Sequence, residues 1–114
     1  MDYMPRQGDI VRMDFINPSK GREQHGLRPA LVVSNNTFNS KMRGGAIVCP
    51  ITNRVKGLPI HVALDDRTET TGVVLTDQVK SLNLTERNAR YIESVPDDIL
   101  EEICDIVSGL TEIE

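Results

Sequence analysis

Aromatic side chains are scarce in this chain: two phenylalanines, two tyrosines and no tryptophan among 114 residues. That scarcity excludes a platform on which interleaved aromatics stack successive nucleic-acid bases. Cysteine is scarce too. Cys49 falls in a strand-like run and Cys104 on an apolar, helix-like face. Both are expected as small core thiols, since the expected cytoplasmic setting disfavours a disulfide and a metal site needs further ligands at suitable spacing. No metal and no cofactor is expected. No apolar run approaches the roughly 20 residues that a membrane span requires. The start, Met1-Asp2-Tyr3-Met4-Pro5-Arg6, lacks the apolar region of a secretion signal, so the expected location is the cytoplasm. Internal repeats, low-complexity tracts and linkers are also missing, and the length suits one domain over 1–114 with a single modest core.

What is present begins with charge. The net charge of −4 argues against a generic nucleic-acid binder. Its distribution argues differently. Residues 1–60 hold nine Lys/Arg against four Asp/Glu, or +5, and residues 61–114 hold four against thirteen, or −9. The first half is a basic surface suited to a polyanion, and the second a solubilising acidic face.

The hydrophobic pattern predicts mostly short strands followed by one helix. Residues 9–16 alternate Ile10, Arg12, Asp14 and Ile16 against Val11, Met13 and Phe15, with Phe15 expected in the core. Pro29 imposes extended geometry on its neighbour and leads into a strand over 30–34. Thr37 is expected to cap a helical turn through Lys41, and Phe38 either packs beneath that turn or stacks a base. A buried strand over 46–52 contains Pro50, which cannot donate to a ladder and so predicts an edge or a bulge. Leu58 to Leu64 alternates with His61 facing solvent, and 72–80 and 89–94 read as further strands. Ser94-Val95-Pro96-Asp97 opens a helix whose stripe comprises Ile99, Leu100, Ile103, Val107 and Leu110, joined by Cys104 and Ile106. The expected fold is mainly β (α+β): a small twisted barrel with a helix packed on it.

Between the first two strands lies Lys20-Gly21-Arg22-Glu23-Gln24-His25-Gly26-Leu27-Arg28-Pro29. A hairpin needs two to five linking residues, so a longer polar loop with two glycines reads as a working loop. Its carboxylate, amide, imidazole and cations suit a phosphate-bearing ligand and acid–base chemistry upon it.

In order and spacing, several pieces together resemble the MazF/PemK/Kid toxins of bacterial toxin–antitoxin pairs. They are Gly8-Asp9, the loop with Lys20-Gly21, Glu23-Gln24 and Arg28-Pro29, and Pro50-Ile51-Thr52. They continue with Lys56-Gly57-Leu58-Pro59, Gly72-Val73-Val74-Leu75 and Asp77-Gln78-Val79-Lys80-Ser81, so the likeness covers most of residues 8–81. The resemblance implies an SH3-like, CcdB/PemK-like barrel that pairs as a homodimer. It implies a metal-independent endoribonuclease cutting single-stranded mRNA, and a MazE-like antitoxin whose acidic tail occupies the RNA groove.

Metal-free cleavage requires the 2′-OH to lose a proton, attack phosphorus in line and expel a protonated 5′-oxygen while charge on the non-bridging oxygens is stabilised. The resemblance assigns catalysis to Arg28, Thr52 and Glu23. Guanidinium is planar, always charged and grips two phosphate oxygens, so Arg28 is an electrostatic stabiliser rather than a base. Thr52 supplies a hydroxyl to the scissile phosphate, and Glu23 acts as base or orients Arg28. Gln24, Lys20, Arg54, Lys56, Asp77, Gln78 and Lys80 are the expected RNA-binding set, with Lys41 and Arg43 as further candidate cations. His25 is a modulator or a bystander. Kid-type members carry an arginine two residues before the matching Asp. Here that position is Leu75, so Asp77 is read as organising its loop. Two alternatives stand beside the nuclease: a CcdB-like toxin that binds DNA gyrase without chemistry, and an inactive RNA-binding or antitoxin-sequestering relative.

Overall fold

The computed structural model describes residues 3–15, 26–54 and 57–114. Strand β1 (Asp9–Asp14) pairs antiparallel with β2 (Leu27–Val32) on one side and with β7 (Arg90–Ser94) on the other. β2 pairs in turn with β3 (Gly45–Thr52). The alternation read in the sequence is a true two-sided burial. Ile10, Leu31, Cys49 and Ile51 point into one core, and Val11, Met13, Ala30, Val32 and Val48 into another. The sheet curls into a half-barrel with apolar packing on both faces. Helix α2 (Asp97–Gly109) closes the first core with Ile99 and Ile103, both buried. Asp97 and Asp98 occupy its first turn, where carboxylates complement the helix dipole. Pro96 stands at its N-cap without a side-chain hydrogen bond, and Leu110, expected on the apolar stripe, lies exposed past its end.

Several expectations need correction. Helix α1 (Asn36–Lys41) is capped by Asn35, whose side chain accepts from the Phe38 N–H at 2.8 Å, rather than by Thr37. Asparagine ranks at least as high as threonine at this position and sits one residue ahead of the helix. The alternating run from Leu58 to Leu64 yields only β4 (Val62–Ala63), because His61 donates its backbone N–H to Leu58 and closes a turn. The stretch 72–80, read as one strand, breaks into β5 (Val73–Val74) and the start of β6 (Lys80–Asn83). Pro50 is neither at an edge nor at a bulge. β3 lies inside the sheet in the order β4-β5-β3-β2-β1-β7, with β6 also paired to β3. β6 covers Gly45 to Val48 and β5 covers Ile51 and Thr52, so Pro50 falls where one neighbour gives way to the other. Its carbonyl still accepts from the Leu75 N–H at 2.9 Å.

The turn over 65–71 is tied down twice. Arg67 pairs with Asp65 and with Asp98 of α2, each at 2.9 Å. Glu93 of β7 accepts from the N–H groups of Glu69 and Thr70 and from the Thr70 hydroxyl. Behind this turn Gly72 runs against Thr52, at φ +124 with its would-be Cβ only 2.5 Å from the Thr52 carbonyl oxygen. No side chain fits there, and the φ is one that L residues rarely adopt. The glycine thereby lets β5 lie close along the end of β3.

Candidate active site

The second core runs out at one end of the curled sheet, and a cleft of about 610 Å³ opens there. Its position follows from register. The β2–β3 ladder reaches Ala30 opposite Pro50, and Arg28 and Thr52 each stand two residues beyond, on the same face of their strands. Pro29 holds Arg28 in extended geometry. Phe15 follows Met13 on that face of the chain, and Lys80 pairs with Val48 in the β3–β6 ladder. Arg28, Thr52, Phe15 and Lys80 all line the cleft, together with Asn53, Arg54 and Gln78.

The wall is basic and the floor apolar. Arg28, Arg54 and Lys80 are all exposed, whereas Pro29, Pro50, Ile51 and Leu75 form the dry surface between them. Thr52 is half-buried, and its Oγ accepts from the Arg54 backbone N–H at 3.1 Å. That bond occupies a lone pair and leaves the hydroxyl hydrogen to be donated into the cleft. Asn53 accepts from the Thr71 hydroxyl at 3.0 Å, which fixes the strand end beside Thr52. Phe15 is not fully in the core as expected. It is half-buried, and Lys80 Nζ sits 5.8 Å from its ring centroid, within cation–π range.

Of the expected set, the cleft therefore brings together Arg28, Thr52, Arg54, Gln78 and Lys80. Asp77 is not among its lining residues; its carboxylate lies 2.7 Å from His61 Nε2. His61, expected to face solvent, is only 3% exposed in its side chain. Alternation failed there because the turn at 58–61 replaces the anticipated strand. Lys41 and Arg43, at the end of α1, also lie outside the cleft. Glu23, Gln24, Lys20, His25 and Lys56 fall outside the described residues. Phe15 and Asn53 are the contributors that motif reading missed. The strand parity that puts Phe15 on the Met13 face was the available signal.

Elsewhere, Phe38 borders a smaller cavity of about 290 Å³ with Cys104 and Val107, away from the cleft. Both thiols are free. Burial pushes the Cys49 thiol up to about 12 and also raises Cys104, so neither is poised as a thiolate nucleophile. Among the described residues no three His, Cys, Asp or Glu side chains gather as a metal centre would require. Among them, too, no helix is long and apolar enough to cross a membrane.

A family model described as the PemK-like, MazF-like toxin of type II toxin–antitoxin systems matches residues 6–110. The endoribonuclease toxin MazF of Escherichia coli strain K12 is 41% identical over 101 residues, 89% of this chain and 88% of that protein. The MazE–MazF structure (Form-II) from Deinococcus radiodurans superposes with a TM-score of 0.82 at 34% identity, covering 99% of this chain and 100% of that one. MazF (Form-I) from the same organism gives 0.80 at 38% identity over 96% and 97% of the two chains. The expected mainly β barrel with a C-terminal helix is the architecture observed, and these structures share it.

Proposed function

The chain belongs to the PemK-like, MazF-like toxins of type II toxin–antitoxin systems, and we propose that it is a metal-independent, sequence-specific endoribonuclease of single-stranded mRNA. The whole of 1–114 acts as one toxin domain. The observation that carries this reading is the convergence of Arg28 and Thr52 from neighbouring strands on one basic cleft. Further support comes from relatives named as endoribonucleases MazF, PemK and ChpB.

In the proposed step a base removes the 2′-OH proton, O2′ bonds to phosphorus, and the P–O5′ bond breaks as O5′ takes a proton. The products are a 2′,3′-cyclic phosphate, opening to a 3′-phosphate, and a 5′-OH. Arg28 spans two phosphate oxygens and stabilises the charge that builds there. Thr52 donates its free hydroxyl hydrogen to the same phosphate, oriented by the Arg54 N–H. Glu23 is assigned as base or as the partner that orients Arg28. Arg54, Lys80, Lys20 and Lys56 contact flanking phosphates, which makes affinity fall with salt. Gln78 and Gln24 read base edges. Asp77 serves that wall through its bond to His61 rather than by touching RNA.

The proposed partners follow from the same groove. MazE–MazF structures among the neighbours support a MazE-like antitoxin whose acidic segment competes with RNA for the cations. The working unit is a homodimer in the cytoplasm. Purified protein incubated with a long defined RNA in EDTA is expected to cut at a recurrent short sequence, leaving 5′-OH and cyclic-phosphate ends. Intact RNA, or cutting only on addition of Mg²⁺, overturns this reading. Gyrase inhibition without RNA cutting puts the CcdB-like activity in its place.

A further inference from the structure

The segment over 75–79 joins β5 to β6 outside either strand, yet it carries Gln78 and leads to Lys80. Such a loop holds a defined wall only if it is tied. Leu75 donates its N–H to the Pro50 carbonyl at 2.9 Å, and the Thr76 hydroxyl donates to the Ile60 carbonyl at 2.8 Å. Both bonds act before Gln78, the polar residue that this segment turns to the cleft. Next in sequence comes Asp77, whose Oδ1 meets His61 Nε2 at 2.7 Å, directly before Gln78.

His61 is an expensive residue in this place. Its side chain is 3% exposed, and Nδ1 is buried with no hydrogen-bond partner among the described residues. Burying a half-satisfied imidazole costs free energy that an apolar side chain of similar size avoids. The gain is a short bond to a carboxylate, stronger than a neutral pair. The carboxylate only accepts, so Nε2 carries the hydrogen. The backbone on both sides is anchored, with His61 N–H on Leu58 and Gln78 N–H on Leu75.

The geometry points to His61 as a positioning residue for the RNA-binding wall: acting through Asp77, it sets where Gln78 stands in the cleft. This inference rests on the endoribonuclease reading and adds to it a determinant of substrate fit outside the cleft. Its signature is a split between binding and chemistry, because Arg28 and Thr52 are held by other strands.

The test compares His61→Phe, which fills the space without a donor, with His61→Gln, whose amide nitrogen reaches the position of Nε2. In H61F, KM for a defined RNA is expected to rise roughly tenfold while kcat changes by less than about threefold, and cut-site preference relaxes. H61Q is expected to return KM to within about threefold of the unsubstituted chain. Equal KM in H61F and the parent overturns the inference, and so does a rise in H61Q as large as in H61F. Two readouts are independent of cleavage. Hydrogen exchange at the Gln78 amide is expected to quicken at least about tenfold in H61F, and unchanged protection refutes the positioning role. The chain has only two histidines. The ring nitrogen-15 spectrum of the parent is therefore expected to show one ring with a hydrogen-bonded Nε2–H, and its absence refutes the bond even if H61F does not fold. If the parent itself leaves RNA intact, the nuclease reading fails on that control, while the exchange and nitrogen spectra still decide the role of His61.

Discussion

Replacing Gly72 by alanine is expected to damage both stability and the site, although Gly72 is not among the residues lining the cleft. Its φ of +124 is a region that L side chains rarely adopt, which alone costs about 1–3 kcal/mol. The added Cβ would stand 2.5 Å from the Thr52 carbonyl oxygen and 2.8 Å from its carbonyl carbon, against a floor of 3.0 Å for real contacts. The neighbours are backbone atoms and cannot rotate away, so β5 and β3 must part by at least 3.0 − 2.5 = 0.5 Å. Together these terms come to about 2–4 kcal/mol, or a fall in melting temperature of roughly 10 °C for a domain of this size. The displaced strand end carries Thr52, and shifts of that order in a reacting geometry cost at least about tenfold in rate. The chain has no tryptophan, so far-UV circular dichroism is the stability probe, paired with single-turnover cleavage well below the transition. Gly109→Ala is the control, since nothing lies within 4 Å of its would-be Cβ. A G72A midpoint within about 2 °C of the parent, with unchanged cleavage, would refute the reasoning.

Arg28 is exposed at a strand start, so Arg28→Ala is expected to keep the circular dichroism spectrum while cleavage falls about 10²- to 10³-fold, the scale of losing one oxyanion donor. Arg28→Lys keeps charge but loses the fork, and recovers only part of that loss; near-parental cleavage in the alanine variant removes Arg28 from the mechanism. Thr52→Val, which keeps shape and deletes the hydroxyl, is expected to slow single-turnover cleavage while Thr52→Ser stays close to the parent, and an equal loss in both excludes hydroxyl donation. The Arg67 guanidinium holds the Asp65 and Asp98 carboxyl groups below their ordinary range, chiefly by hydrogen bonds. Such depressed groups stabilise the fold above the ordinary carboxylate range, and that contribution is lost as pH falls through their lowered values. Arg67→Ala is therefore expected to melt slightly below the parent at neutral pH, by an amount that shrinks in salt, with the gap closing in acid. A gap independent of pH excludes the ion pairs as its source.

The parts of the fold legible in the sequence are those whose hydrophobic period runs unbroken. β1, β3 and α2 qualify because a short apolar-rich run bounded by turn residues, or an apolar stripe at helical spacing, is enough to mark a buried element. The failures lie where a side chain diverts the backbone. Residues 72–80 read as one strand, but the Thr76 hydroxyl bonds Ile60 and Asp77 bonds His61, and the chain turns there. Neither bond leaves a trace in periodicity. The same diversion explains His61, assigned to solvent by parity along a strand that does not form there. Arg28 and Thr52 were visible only through motif likeness. Their meeting is a consequence of register, which one strand's pattern cannot supply.

Pro50 links these observations. A proline inside a central strand forfeits one ladder hydrogen bond, and in this sheet that loss falls where β3 changes neighbours. β6 ends its pairing at Val48 and β5 begins at Ile51. Past the Leu75 N–H, which the Pro50 carbonyl holds at 2.9 Å, the chain between β5 and β6 leaves the sheet and lines the cleft with Leu75 and Gln78. Pro50 offers that side of β3 a carbonyl and no N–H, so only one of the two bonds that a paired residue exchanges can form there. The proline expected at an edge or a bulge thus stands where a central strand exchanges one neighbour for another, beside the cleft that Arg28 and Thr52 share.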